Sequence, residues 1–521
     1  MRAIASPSVL SFPIGVEVSD NLAILITRDD SRFNNLKRAR NGRWPTNPSD
    51  GIGSVALCLS AEDTAQALRR VVSAGQRPTI RSGGHCYEDF YANNPNGTLI
   101  DMSMMNHVGN LPHDARYRVA SGATLGKAYQ DIYKLYNLTL PGGTCSSVGA
   151  GGHITGGGYG LVSRLYGTTA DWVTGVDILT VDSHGKVALR TCTAKQDADL
   201  LRACRGAGGG NFGVIVDYIF DQLPPAPQEV MVSNMIFPWD EMTEEKFTTI
   251  FNAFGGYFAT RGKDPETWGL FSIIEANHKA RGYLRIEVQF CNPDGTCKNT
   301  KVMDEFLALF DACKPSSVSP AAPVSYPPAQ SFGPHRMTRD LWADTPAAGG
   351  MRRGATRAKY KSTYMKKNFS AREIAVYYKH LTRTMPGIDL SHSVVEIDSY
   401  GGAMNRKEML DETVAFQRSS VMKLQFQTYW ANAAEDEGHF TWIRELYHEL
   451  YSSPEVDASH QGSPFPGDNY QGCYINYPDA DMLDYAYWPQ LYYGPNYEFL
   501  QQVKKKYDPN NVFHHAMSIR A

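Results

Sequence analysis

No run of about 18 apolar residues, the length a helix needs to span a bilayer, occurs in this 521-residue chain, so a transmembrane helix is excluded. An excess of charge of one sign is also missing. The 51 lysines and arginines stand against 54 aspartates and glutamates, a net charge of -3, which offers no electrostatic footprint for nucleic acid or an anionic membrane. The Lys504-Lys505-Lys506 run reads as a solvated helix end. No Cys-x-x-Cys pair exists, and His85 beside Cys86 points two potential ligands apart, so the spacing zinc sites favour is absent and no metal is expected. The nine cysteines are an odd number. Cys291 and Cys297 bracket a turn sequence compatible with a disulfide and equally with two inert thiols. Met1 to Phe12 carries one basic residue and an apolar stretch broken by serine and proline, which weighs against a cleaved secretion signal. A soluble protein is expected, its compartment left open.

Glycine, in contrast, is abundant and concentrated. Arg81-Ser82-Gly83-Gly84-His85 forms one cluster. Gly142 to His153, containing Cys145, Val148, Gly149 and Gly152, runs into Gly156-Gly157-Gly158-Tyr159-Gly160 as a second, and Gly206 to Gly213 with Val214 makes a third. Glycine lets backbone N–H groups come close to a phosphate or a flat ring. The second cluster lacks the strand, helix and acidic residue order of a nicotinamide-binding unit, so a doubly wound parallel sheet is disfavoured. Three cradles within some 130 residues suit a long cofactor with a pyrophosphate, a sugar chain and a ring.

A chain of 521 residues exceeds one ordinary core, and two or three structural units are expected. From Asp29 to Gln222 short β-rich runs alternate with glycine loops, and one helix is clear. It spans Ala61 to Ala74, with Ser60 as N-cap, Ala65, Leu68 and Val72 at helical spacing, and Gly75 as its stop. Pro224, Pro225 and Pro227 mark a linker. From Met231 to Pro464 longer helices and alternating strands follow, with a proline-rich surface loop from Pro315 to Pro334. Two strands carry polar side chains at every second position: Glu396, Asp398 and Tyr400 in one, Lys423, Gln425, Gln427 and Tyr429 in the other. Such a face suits a polyhydroxylated ligand or is simply solvated. Near the C-terminus a tyrosine-dense stretch precedes an amphipathic helix, Tyr497 to Tyr507, with Leu500 and Val503 inward.

Five motifs in order, Arg81 to His85, Gly143 to Gly160, Gly208 to Gly213, Tyr474-Ile475-Asn476-Tyr477 and Asp508 to Phe513, resemble the berberine-bridge-enzyme group of the vanillyl-alcohol-oxidase flavoproteins, from about residue 30 to the C-terminus. Within that group the chain is most similar to the carbohydrate oxidases, gluco-oligosaccharide oxidase and the glycopeptide hexose oxidases. The resemblance implies an α+β fold. A PCMH-type FAD-binding domain of two α/β subdomains (29–225) would precede a substrate domain whose antiparallel sheet is flanked by helices (226–465). A C-terminal segment (466–521) would return to complete the active site.

The same resemblance implies FAD bonded through His85 to its 8-methyl carbon and through Cys145 to ring carbon 6. Arg81, Ser82, Gly83, Gly84, Val148, Gly149, Gly152, His153, Gly156, Gly157, Tyr159, Gly160, Gly213, Val214, Tyr474 and Asn476 would hold the cofactor. Tyr477 matches the family's general base, and Asp398 the aspartate that contacts it. Tyr87, Glu396, Tyr400 and Gln427 are the expected substrate contacts, with Glu396 replacing a glutamine. Val148 matches a position where a small side chain leaves room for oxygen. The expected reaction is oxidation of a sugar or glycosyl hydroxyl, with O2 reduced to H2O2. A tailoring oxidase for a glycosylated natural product, or an alkaloid-type oxidative cyclase, is the alternative.

Overall fold

The computed structural model describes residues 23–316, 335–337, 356–454 and 456–521. Most of the proline-rich stretch from 317 onward, and the Met1 to Phe12 segment, lie outside the described residues. Among the described residues no helix is long and apolar enough to cross a membrane.

Three sheets organise the α+β chain. The first is mixed: strands Ile24–Thr27, Ser54–Leu57, Thr98–Asp101 and Thr79–Arg81 lie in that order, the last three parallel. The second is antiparallel, in the order Val108–Leu111, Asp114–Ala120, Val214–Phe220, Gly175–Val181 and Val187–Thr193. The third, also antiparallel, has seven strands: His335–Met337, Val230–Pro238, Tyr283–Phe290, Leu270–Asn277, Ser393–Ser399, Met422–Trp430 and Arg357–Met365. The prolines at 224, 225 and 227 fall between the end of the second sheet at Phe220 and the start of the third at Val230.

Local signals act as the residues dictate. Helix Ala61–Ser73 opens at Ser60, whose hydroxyl accepts from the Asp63 N–H at 3.1 Å, and the chain leaves it at Gly75 with φ +65°. Val71, rather than Val72, is its deeply buried valine. On strand Met422–Trp430 the polar and apolar side chains separate as alternation requires. Phe426 packs on Tyr377 and Tyr447 of helices Ala371–Thr382 and Asp436–Leu450, which cover one face of the third sheet. Lys423, Gln425, Gln427 and Tyr429 take the other face, toward the first two sheets.

One expectation needs correction, and one open alternative is settled. Lys504 is not solvated. It is fully buried in helix Tyr497–Tyr507, donating to Asp508 at 2.6 Å, to the Asn211 carbonyl at 2.7 Å and to the Phe513 carbonyl. One carboxylate and two carbonyls replace its hydration, while Lys505 and Lys506 stay exposed. No disulfide joins Cys291 to Cys297; both are buried thiols. The Cys297 Sγ instead points at the Glu229 and Phe290 carbonyls.

A buried ionic network ties the sheets to the C-terminal segment. Lys359 Nζ, 2 % exposed, lies 3.1 Å from Glu88 and 2.6 Å from Asp479, while Lys361 reaches Asp479 at 2.5 Å and Asp481 at 2.9 Å. Arg444 closes it onto Asp481 at 2.8 Å. Three cations thus meet three carboxylates, so none of the charges is left alone in a low-dielectric interior. Removing one partner strands the others: Lys359→Met is expected to destabilise the holoenzyme by about 3–5 kcal/mol, read from the guanidinium unfolding midpoint.

Candidate active site

The three glycine clusters and the polar face of the third sheet enclose one cavity of about 1860 Å³. That exceeds the roughly 300–1,000 Å³ of an ordinary ligand pocket and leaves room for a dinucleotide together with a substrate.

The glycine frames shape its cofactor side by close backbone approach. A Cβ on Gly83 would meet the Gly149 nitrogen at 2.3 Å, and one on Gly149 would meet Ser82 Oγ at 2.0 Å, so these two loops can touch only as glycines. Gly84 turns with φ +73° and delivers His85 to the cavity. His85 Nε2 lies 3.1 Å from the Ser147 hydroxyl, and Cys145 Sγ lies 3.5 Å from the same oxygen. Arg40 also donates to it, at 3.2 Å. One serine therefore gathers the imidazole and the thiol. Burial, followed by the neighbouring Arg40 charge, pushes the His85 imidazole down to about 3 and keeps it neutral. Its Nδ1 is buried with no hydrogen-bond partner.

His153 acts from behind this frame. Its Nε2 accepts from the Gly143 N–H at 3.0 Å, fixing the loop that carries Cys145, and burial lowers it to about 4. Asn476 donates to the His153 carbonyl at 2.9 Å and to the Tyr474 hydroxyl at 3.0 Å, and that hydroxyl accepts from Gly158 N–H at 3.1 Å. The C-terminal segment is thereby stitched to the second glycine cluster. Arg81, Ser82, Val148, Gly152, Gly213 and Val214 line the same cavity.

Gly156, Gly157 and Gly160 do not line it. A Cβ on Gly156 would meet the Asn476 amide at 2.1 Å and one on Gly160 the Gly142 carbonyl at 1.9 Å, while Gly157 turns at φ +114°. Gly156 and Gly160 are thus held by close packing against Asn476 and Gly142, and Gly157 by its backbone conformation.

On the substrate side Tyr477 is the central group. Tyr87 stacks on Tyr360 with centroids 3.5 Å apart and lies 5.2 Å from Tyr477, and its hydroxyl accepts from Gln425 at 2.6 Å. Gln427 donates to Glu396 at 2.7 Å and accepts from Tyr429 at 2.5 Å. Lys423, fully buried, places its Nζ 3.5 Å from the Tyr477 ring centroid, a close cation–π contact. Burial pushes Lys423 down to about 8 against the pull of Asp398 and Glu396. Burial also raises the Tyr477 phenol well above its usual value, helped by the charges of Asp398 and Glu396.

Two residues sit one layer further back than expected. Asp398 accepts from the Tyr159 hydroxyl and lies 3.6 Å from Lys423 Nζ, instead of bonding Tyr477. Tyr400, 4 % exposed, is not a cavity residue. Its strand ends at Ser399, so alternation no longer governs its direction, and it packs edge-on against Tyr159 and Tyr364. Lys423, Gln425, Tyr429, Tyr360 and Ser147 are the site residues that sequence reasoning left unassigned. Alternation had put the first three on the Gln427 face, and a lysine in a strand that proves fully buried was the available signal.

The fold and the cavity define a flavin-dependent oxidoreductase, and comparison with known proteins agrees. Residues 53–188 match the FAD binding domain model and residues 473–520 the "Berberine and berberine like" model. The chain is 32% identical over 520 residues to aclacinomycin-N/aclacinomycin-A oxidase of Streptomyces galilaeus, covering 95% of this chain and 90% of that one. It is 31% identical to hexose oxidase of Chondrus crispus, covering 94% of each. The crystal structure of a glycopeptide hexose oxidase complexed with teicoplanin superposes with a TM-score of 0.82 at 32% identity, over 96% of this chain and 99% of that one. The chain belongs to the berberine and berberine-like family of FAD-linked oxidoreductases, and FAD is its cofactor.

The glycine geometry separates packing from binding roles. Gly160→Ala is expected to lower the melting temperature sharply, because its Cβ overlaps a carbonyl. Gly152→Ala, whose Cβ meets nothing within 4 Å, should leave the melting temperature of the flavin-free protein within a few degrees; differential scanning calorimetry of both variants checks the pair.

Proposed function

We propose that this enzyme oxidises a hydroxyl-bearing carbon of a sugar or glycoside to a carbonyl, with O2 as final acceptor. Tyr477 is the general base and takes the hydroxyl proton. Bound FAD would supply the electron sink for the hydrogen of the same carbon, removed as hydride; its two electrons and its proton, with the proton taken by Tyr477, would reduce O2 to H2O2. The observation that carries this reading is Tyr477 itself, a phenol between Tyr87 and the Lys423 ammonium at the point where the cofactor loops meet the amide-rich sheet.

A phenol near its ordinary pKa of about 10 is a poor base at neutrality. Lys423 offsets that by stabilising negative charge on the Tyr477 ring, and Asp398 holds the lysine in place while Tyr159 neutralises part of the carboxylate through its hydrogen bond. Gln425, Gln427 and Glu396 offer donors and acceptors to substrate hydroxyls and so orient the reacting carbon. Val148, three residues after Cys145, leaves the cavity open beside the thiol for O2. His85 and Cys145 are the two attachment points of the flavin. The unpartnered Nδ1 and neutral ring fit His85 for that role, and the shared Ser147 keeps both groups on one side of the cavity. Residues 29–225 form the cofactor domain and 226–465 the substrate domain, with 466–521 returning Tyr474, Asn476 and Tyr477 to the first. A cavity of this size, with its similarity to an aclacinomycin oxidase, favours a bulky glycoside over a free monosaccharide.

Tyr477→Phe is expected to slow anaerobic bleaching of the flavin by sugars about 100- to 10,000-fold without changing flavin content; stopped-flow absorbance checks it, and unchanged bleaching would overturn the base assignment. Lys423→Met should move the ascending limb of the pH–kcat/KM profile to higher pH, since loss of the cation disfavours phenolate, and Lys423→Arg should restore part of the shift. Denatured His85→Ala and Cys145→Ala proteins should each retain flavin on the polypeptide, and the double variant should release it, as read by mass spectrometry.

A further inference from the structure

The cavity is electrically divided. Its cofactor side is lined by Arg40, Arg77 and Arg81 and suits an anionic dinucleotide. The wall formed by the third sheet carries Glu275, Glu287 and Glu396, with Asp389 and Glu435 on adjoining loops, against only Arg281 and Arg285. Strand register makes the carboxylates neighbours: Glu396 pairs with Glu275 across one strand boundary, and Glu275 with Arg285 across the next. Arg285 is already spent, bonded to Glu275 at 2.5 Å and Glu287 at 2.8 Å. Lys423 faces Asp398 and the Tyr477 ring. Glu396 is left with one neutral donor, the Gln427 amide at 2.7 Å, and forms no ion pair among the described residues. Burial and then the charge of Asp398 raise it to about 8 against the pull of Lys423, so near neutrality its carboxylate lacks a cation close enough to hold it ionised. Further along the same wall Gln289, 4 % exposed, has an Oε1 with no hydrogen-bond partner. The wall offers acceptors and is short of a cation that would hold Glu396 ionised.

We propose that the substrate presents a protonated amine to this wall: the sugar oxidised is an amino sugar or an amino-sugar glycoside, its ammonium bound by Glu396 beside Glu275 while its reacting carbon faces Tyr477. An ammonium brings three donors and one positive charge, which match what Glu396 and its neighbours lack. An N-acetyl group brings one donor and no charge, and a hydroxyl can donate only one proton. The proposal rests on the sugar-oxidase reading and narrows it.

The test compares oxygen consumption by the wild-type holoenzyme on glucosamine, N-acetylglucosamine and glucose, and on the matching disaccharides chitobiose, N,N'-diacetylchitobiose and cellobiose, at about pH 8, where Glu396 and an amine near the α-amino range can share one proton. The amine member is expected to show kcat/KM at least about tenfold above both counterparts, the gain of a charge-assisted bond, carried mainly in KM. In Glu396→Gln that advantage should fall below about threefold. If the variant loads no flavin, the wild type still decides: the advantage should be greatest near about pH 8, where Glu396 and the amine share one proton, and fade to either side, while glucose and cellobiose do not follow it. Equal or better use of the N-acetyl or hydroxyl member, or a preference that survives Glu396→Gln, overturns the amino-sugar assignment and leaves the oxidase reading standing. Failure of every probe, and of the p-nitrophenyl and larger aryl glycosides of the same sugars, to bleach the flavin overturns the sugar-oxidase reading beneath it.

Discussion

Lys359 is the point on which the arrangement of the active site turns. Its ammonium contacts Glu88, three residues after His85, and Asp479, two residues after Tyr477, from a strand of the sheet that forms the substrate wall. The loop after His85, Tyr477 and the wall lie far apart in sequence. A buried ion pair tolerates little displacement, because any lengthening exposes charge to a medium that cannot solvate it. The network therefore sets the spacing between the cofactor loops and Tyr477, and Lys361, Asp481 and Arg444 keep the total charge balanced.

Around that anchor the chain divides its labour by backbone type. Glycine loops shape the cofactor side, where the requirement is close approach: Gly83 and Gly149 touch because neither has a side chain. An antiparallel sheet shapes the substrate side, where the requirement is a row of side chains at fixed spacing. Period-two alternation sends Phe426 into the helical layer and Gln425 and Gln427 into the cavity. The C-terminal segment joins the two through Asn476 and Tyr474.

Electrostatics then sorts the cavity by function. Desolvation works against every charge in it, raising Tyr477 and Glu396 and lowering Lys423. What survives is a short chain of compensation, Tyr159 to Asp398 to Lys423 to the Tyr477 ring. The acidity of Tyr477 is thus set by its neighbours, the charges of Asp398 and Glu396 among them.

The amino-acid sequence alone determined the chemical groups and the local elements: the glycine frames around His85 and Cys145, the capped helix after Ser60, the alternating strands and the Tyr474 to Tyr477 motif. These depend on residues close together in the chain, whose spacing and capping chemistry decide them directly. It did not decide depth. That Gly156 packs against the Asn476 amide, that Asp398 and Tyr400 stand behind Tyr159, that Lys504 is buried and that Lys423 lies on the Tyr477 ring all follow from contacts between residues distant in sequence. Burial and pairing are properties of the assembled sheets, and only the tertiary structure sets which of two equally polar side chains meets the cavity and which meets a buried countercharge.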